Sequence, residues 1–307
     1  MFGFRPYNYD RFTKEMLLND VAKAKFGAGP DPGDRAPNFT AGTLDDGEVE
    51  LSDFRGKKNV LLVFGSATCP FTASSIEGLN ELYDDYKDQD VAFFFVYVRE
   101  AHPGDRLPSH EDIHDKMRAA EFFRDEEEVE MPILVDDLKG SIHRKYGSLP
   151  NPAFLVDKSG HIAFRCLWAQ AGVLAEALAE LLEVQERRDT GRAVVLGGED
   201  LSVPMRRALL HTHRALQRGG RRAIRDFQRE MGPAGRAAEL GSRIVAPVAL
   251  NPGRAALGAL LAGGVLTGAI FAGRALRNKR LAKSLEPYRY APRARKKENE
   301  GDYAVGI

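Results

Sequence analysis

The apolar positions of the chain change period several times, and each change marks an element. Asn59-Val-Leu-Leu-Val-Phe64 and Val91-Ala-Phe-Phe-Phe-Val-Tyr-Val98 are continuous apolar runs of strand length. Runs without polar alternation predict strands buried on both faces. Between them, Ile76, Leu79, Leu82, Tyr83 and Tyr86 recur at helical spacing within Ser74–Lys87. Ile113, Met117, Ala120 and Phe123 do the same within His110–Phe123. Ile133–Asp136 reads as a short strand. Pro152–Asp157 and His161–Cys166, joined by Lys158-Ser-Gly160, predict a hairpin with a glycine-containing turn. Val173–Val184 is amphipathic, with Leu174, Leu178, Leu181 and Leu182 on one side and Glu176, Glu180 and Glu183 on the other. A βαβ unit followed by a hairpin and a closing helix gives an α/β domain, a mixed sheet covered by helices.

The flanks differ in kind. Residues 1–32 form an N-terminal helical arm: a helical stretch over Asp10–Lys25, then a Gly/Pro loop, Gly27–Gly33. The α/β domain occupies 33–190. Residues 191–254 read as an Arg-rich helical linker with two short basic helices separated at Arg218-Gly-Gly-Arg-Arg222. Residues 255–273 are an uncharged Gly/Ala-rich run of nineteen residues, and 274–307 a basic tail. At 1.5 Å per residue the run reaches roughly 28 Å, close to a bilayer core. Its Gly264-x-x-x-Gly268 spacing suits close helix contact in a membrane, but Ala and Gly dominate and only four leucines are present. Membrane spanning, surface association and a buried soluble helix all remain open for it, and the basic helices suit anionic lipid better than nucleic acid, for which no reader motif is present.

Composition sharpens this division. The 307 residues carry 44 basic and 44 acidic side chains, yet residues 1–170 hold 20 Lys/Arg against 30 Asp/Glu, and 171–307 hold 24 against 14. Oppositely charged halves imply segments with different tasks. Two cysteines exclude a disulfide-stapled scaffold and a Cys-rich zinc module. No charged-then-apolar leader opens the chain, so the expected location is cytoplasmic, with membrane association through 255–273.

The chemistry concentrates in Phe64-Gly-Ser-Ala-Thr-Cys-Pro-Phe71, where a buried strand gives way to a helix. A thiol there faces unpaired helix N–H groups and the positive end of the helix dipole, which lowers its pKa and favours the thiolate. Cys69 is therefore the candidate nucleophile. Position 72 is Thr, so the motif is Cys-Pro-Phe-Thr and no exchange within it is available. The other cysteine, Cys166, ends the second hairpin strand beside Asn151-Pro152 and is either a resolving thiol or a structural one. Glu100 and His102 follow the second buried strand; alternation puts them on one face, where they can share a proton. His110 and His114 are spaced i, i+4, but no third ligand follows and no metal is expected.

Several segments carry a family resemblance. Gly33-Asp-Arg-Ala-Pro-Asn-Phe39, the strand before Cys69 and the Pro152 approach to the hairpin resemble the thioredoxin and peroxiredoxin superfamily. Phe64-Gly-Ser-Ala-Thr-Cys-Pro70, Tyr97-Val-Arg-Glu-Ala-His-Pro103 and Tyr146-Gly-Ser-Leu-Pro150 are similar to the iodothyronine deiodinases, over about 33–185. The resemblance implies a thioredoxin-like fold and a catalytic role for Cys69, where the family carries selenocysteine or, in many bacterial relatives, cysteine. It implies proton transfer by Glu100 and His102, contact of His110 with an aromatic substrate, and hydroxyls beside the nucleophile at Ser66 and Thr68. Two departures follow. Ala67 stands where some animal deiodinases have a cysteine, and Pro152 stands where they have an arginine, restoring the proline that thioredoxins use in cis to approach a disulfide. These favour a general disulfide or peroxide substrate over an iodothyronine.

The expected activity is a thiol-dependent oxidoreductase: Cys69 attacks a disulfide, peroxide or carbon–iodine group, Glu100 and His102 move protons, and Pro152 shapes the site. No bound cofactor is expected, only an external thiol as electron donor; the expected substrate is a small-molecule or protein disulfide, and a homodimer is compatible. The alternatives are a non-catalytic thioredoxin-fold binding module tethered to a membrane and a one-Cys thiol peroxidase.

Overall fold

In a computed structural model, residues 7–25, 28–195 and 202–250 are described. A seven-stranded sheet runs through the domain: β1 (Thr40–Thr43), β2 (Glu48–Glu50), β3 (Asn59–Gly65), β4 (Val91–Tyr97), β5 (Ile133–Val135), β6 (Ala153–Val156) and β7 (Ile162–Cys166). The spatial order is β2-β1-β5-β4-β3-β6-β7. β3 and β4 are parallel in full register, from Asn59↔Val91 to Gly65↔Tyr97, and β5 is parallel to β4. β6 is antiparallel to β3 and β7 to β6. The two apolar runs form the central strands, and both of their faces are buried. Leu61, Val63, Phe93 and Phe95 point into one core, Val60, Leu62, Phe94 and Val96 into another. This mixed sheet is a thioredoxin-like fold.

Helices α2 (Pro70–Tyr86), α3 (Ile113–Glu127) and α5 (Ala171–Arg188) supply side chains to the first core, and α4 (Ser141–Lys145) to the second. Leu174, Leu178 and Leu181 are buried as their spacing predicts, while Leu182 is half-buried. The β1–β2 hairpin and α4 escape the sequence reading because three to five residues rich in Gly, Thr and charge are too short to show a period. α3 begins later than the His110–Phe123 pattern suggests. Asp112 accepts from the Asp115 N–H at 2.8 Å and caps it, which leaves His110 outside the helix.

The arm contributes α1 (Lys14–Lys25), shorter at its start than expected. The two basic helices are α6 (Ser202–Gly219) and α7 (Arg221–Ala249), which form a hairpin. α7 is longer than expected and is broken at Gly232, whose φ of 60° and ψ of −142° precede Pro233, a residue that disfavours helical backbone before it. No helix among the described residues is long and apolar enough to cross a membrane. The 255–273 run and the basic tail lie outside the described residues.

Candidate functional site

The parallel register ends β3 and β4 side by side at Gly65 and Tyr97, and the site is built where both chains leave the sheet. After Gly65, Ser66-Ala-Thr leads to Cys69, the N-cap residue of α2, with Pro70 at the first helical position. Proline there costs the helix no hydrogen bond and its fixed φ starts the turn. Gly65 is required by close packing: a Cβ on it would lie 2.5 Å from the Thr72 hydroxyl and 2.6 Å from the Phe95 ring. Cys69 is 1% exposed. The N–H groups of Phe71 and Thr72 and the Thr72 hydroxyl favour its thiolate, but burial outweighs them and pushes the thiol pKa up. This corrects the expectation of a lowered pKa. The helix N-terminus acts as predicted, but the site is closed over the sulfur and desolvation wins.

Glu100 is the hub beneath this loop. It accepts from the Thr68 N–H at 3.0 Å and the Thr68 hydroxyl at 2.6 Å, and the Tyr97 hydroxyl donates a short hydrogen bond to its other oxygen. His110 Nε2 lies 3.5 Å from that same oxygen. Burial pushes the Glu100 pKa up, but His110, Thr68 and Tyr97 more than compensate and hold the carboxyl below its ordinary range. The expected sharing of a proton between Glu100 and His102 is replaced by a Glu100–His110 pair. The reason is local: β4 ends at Tyr97, so residues 98–103 are loop and alternation does not apply to them.

His102 instead packs its ring against Phe12 at 4.4 Å and Phe227 at 5.6 Å. Burial lowers its pKa to about 4. A histidine kept neutral in the fold but free to protonate when unfolded makes stability fall with acid. The full effect is present above the unfolded value near 6.5 and is lost as pH drops toward 4, a difference of about 3 kcal/mol. Unfolding free energies from urea titrations at pH 7 and pH 4.5 should differ by at least most of this, and His102→Phe should narrow the gap; equal gaps in both proteins would refute the assignment.

Ser66 and Thr68 spend their hydroxyls inside the protein. Ser66 Oγ accepts from the Ala101 N–H at 3.2 Å, and Thr68 Oγ1 from the His102 N–H at 3.0 Å. They tie the Cys69 loop to the segment after β4. Pro152 is buried; its carbonyl accepts from the Phe64 N–H at 2.9 Å, and Asn151 donates to the Phe64 carbonyl at 2.9 Å. The cis geometry implied by the resemblance is absent, because the described residues contain no cis peptide. Asn151 pairs with Trp168 in an isolated parallel bridge. Cys166 ends β7 opposite Ala153, its side chain in the core shared with α2 and α5. Neither cysteine is in a disulfide. Phe71 stacks on Trp168 at 4.2 Å and joins the start of α2 to the end of β7.

Sequence reasoning misses the cover. Tyr9 of the arm donates to the Ala101 carbonyl at 3.0 Å and, like Asp20 of α1, lies within electrostatic range of Cys69. Tyr7 is the anchor. Its hydroxyl meets His143 Nδ1 at 2.8 Å, and Arg99, Arg144 and Lys116 sit over its ring. Gly140 cradles the same ring, with no room for a Cβ. Tyr7→Ala should raise the alkylation rate of Cys69 at least about tenfold, because truncating a buried aromatic loosens local closure by several kcal/mol. An unchanged rate by intact mass would show that the arm does not limit access.

Residues 32–165 match the AhpC/TSA family. They are an AhpC/TSA-family redoxin domain. The redoxin domain includes β1 to β6, most of β7, and Cys69. Over 127 residues the chain is 32% identical to the thyroxine 5-deiodinase of Gallus gallus, covering 38% of this chain and 48% of that one. Over 131 residues it is 31% identical to the thiol-disulfide oxidoreductase ResA of Bacillus thuringiensis subsp. konkukian (strain 97-27), covering 42% of this chain and 66% of that one. The chain thus spans about half to two thirds of the length of these relatives. Among solved structures, a putative protein disulfide isomerase from Bacteroides thetaiotaomicron aligns with 53% of this chain and 98% of its own, at 21% identity and a TM-score of 0.43.

Proposed function

We propose that the protein is a thiol–disulfide oxidoreductase in which Cys69 is the attacking sulfur. The observation that carries this reading is the placement of Cys69 at the N-cap of α2, with two backbone N–H groups and the Thr72 hydroxyl favouring its anion. The identity to ResA, a thiol-disulfide oxidoreductase, supports it.

In the first step the Cys69 thiolate attacks one sulfur of a disulfide. A Cys69–substrate disulfide forms, the substrate S–S bond breaks, and the other sulfur leaves as a thiolate that takes a proton. Glu100 and His110 face each other beneath the loop, on the route by which that proton is exchanged with the solvent admitted with the substrate; His102, neutral at physiological pH, lines the site and does not carry it. A donor thiol then attacks the Cys69 sulfur and releases the second substrate thiol. A second donor thiol attacks the donor sulfur of the new mixed disulfide, which frees Cys69 and leaves the donor oxidised. The cycle uses no bound cofactor. It suits a reducing compartment that holds a low-molecular thiol. The sulfur is buried, so the arm around Tyr9 moves aside before a small or protein disulfide enters, and the same motion rehydrates Cys69 and lowers its pKa.

A second reading, reductive cleavage of a carbon–iodine bond by the same sulfur, is favoured by the identity to thyroxine 5-deiodinase. Trapping separates the two. With hydroxyethyl disulfide and no donor thiol, full-length Cys166→Ser protein should gain one mixed disulfide, mapped to Cys69. Iodide release from an iodinated phenol in the presence of dithiothreitol, without such an adduct, would favour the second reading. Neither product would leave a binding module.

A further inference from the structure

The C-terminal helical hairpin reaches the redox loop directly. α6 packs on α2, and its last turn carries Arg218, whose side chain is 4% exposed. One guanidinium nitrogen donates to the Ala67 carbonyl at 3.0 Å, and another pairs closely with Glu127 at the end of α3. The Ala67 peptide is held at its other end too, since its N–H lies 3.4 Å from the Tyr97 hydroxyl that donates to Glu100. The adjoining turn clasps the second loop of the site. Gly219 accepts from the Arg106 N–H at 3.0 Å, and Arg222 donates to Asp105 through its N–H at 2.6 Å and to the Gly104 carbonyl at 2.7 Å. The fit is close: a Cβ on Gly219 would lie 2.5 Å from the His102 carbonyl oxygen.

An apolar side chain would join helix to loop without desolvating a charge, and buried ion pairs replaced by apolar residues often leave stability unchanged or improved. A guanidinium held on the carbonyl two residues before the nucleophile calls for another reason. We propose that Arg218 is a positioning residue of the thiol site: it fixes the Ser66–Thr68 loop through Ala67 and sets the charge balance around Cys69, so the hairpin is part of the redox centre. This rests on the reading of Cys69 given above.

The titratable and charged groups around the sulfur and its loop come from several elements. Asp20 and Tyr9 approach from the arm, with Arg99 beside Tyr9. Around the Ser66–Thr68 loop, Tyr97, Glu100, His102 and His110 come from β4 and the segment after it, Glu126 and Glu127 from the end of α3, and Arg218 from the hairpin. Acids here disfavour the thiolate and the guanidinium favours it. Arg218→Met removes the cation and strands Glu127, so the Cys69 pKa rises. Glu127→Gln leaves the cation uncompensated, so it falls.

The test is the pH profile of Cys69 alkylation by iodoacetamide in the full chain with Cys166→Ser. Arg218→Met should move the midpoint up by about one pH unit, Glu127→Gln should move it down, and Arg218→Lys should restore most of the parent profile. A merely structural clasp would speed alkylation in both variants without opposite midpoint shifts; that result, or no shift in Arg218→Met, overturns the inference. Failure of the underlying reading has another signature: Cys69→Ser protein that still reduces hydroxyethyl disulfide overturns both.

Discussion

Cys69→Ser is expected to lower disulfide reduction by the full chain at least about a thousandfold, some 4 kcal/mol of transition-state stabilisation. A serine hydroxyl is a far weaker acid than a thiol, and its oxygen does not form a stable bond to a departing disulfide sulfur. The only other thiol of the chain, Cys166, is buried at the end of β7. The substitution is close in size and the N-cap geometry tolerates serine, so the fold should be kept. Thiol release from hydroxyethyl disulfide, followed with glutathione as donor, measures the loss, and circular dichroism verifies the fold. Cys166→Ser in the same assay should stay within about threefold of the parent, since a structural thiol contributes packing and no chemistry. Residual activity above a tenth of the parent rate in Cys69→Ser would remove Cys69 from the mechanism.

The second large effect is a gain. Thr72 is fully buried in the first turn of α2, and its hydroxyl acts on the Cys69 sulfur. Residues three apart at a helix start have Cα atoms roughly 5–6 Å apart, within disulfide range. Thr72→Cys should therefore supply a resolving thiol one helical turn from Cys69. Attack on the mixed disulfide becomes intramolecular, with an effective thiol concentration in the millimolar range or above. In the absence of donor, the second substrate thiol should leave at least about a hundredfold faster than in the parent, whose mixed disulfide waits for an external thiol. The product should be a disulfide between Cys69 and the thiol introduced at position 72, seen as the loss of two hydrogens by intact mass. A variant that still accumulates the Cys69–substrate adduct would show that position 72 does not reach the sulfur in the open state.

Much of the site was legible in the chain. The unbroken apolar runs 59–64 and 91–98 define two buried parallel strands, because only a strand covered on both faces has no polar alternation. Their parallel course brings Cys69 and Glu100 to one edge of the sheet, and Pro70 marks the helix start. Thr72 was visible as well, one helical turn beyond the nucleophile, although its role had to be read from the side that it presents.

Other features were decided only by contacts distant in sequence. Alternation could pair Glu100 with His102 on paper, but β4 stops at Tyr97, and tertiary packing gives Glu100 to His110 and His102 to Phe12 and Phe227. A helix N-terminus lowers a thiol pKa by local electrostatics, whereas the burial that outweighs it at Cys69 is set by packing from elsewhere in the chain. Arg218 meets Ala67 across 151 positions of chain. Periodicity, capping and turn chemistry act over one or two turns, so the sequence by itself determined the sheet, the helix that follows Cys69 and the placement of that thiol at the helix N-cap. Burial is the sum of contacts from the whole chain, so only the tertiary structure determined that the sulfur is covered, which histidine faces Glu100 and that an arginine from the C-terminal helices reaches the Ala67 carbonyl.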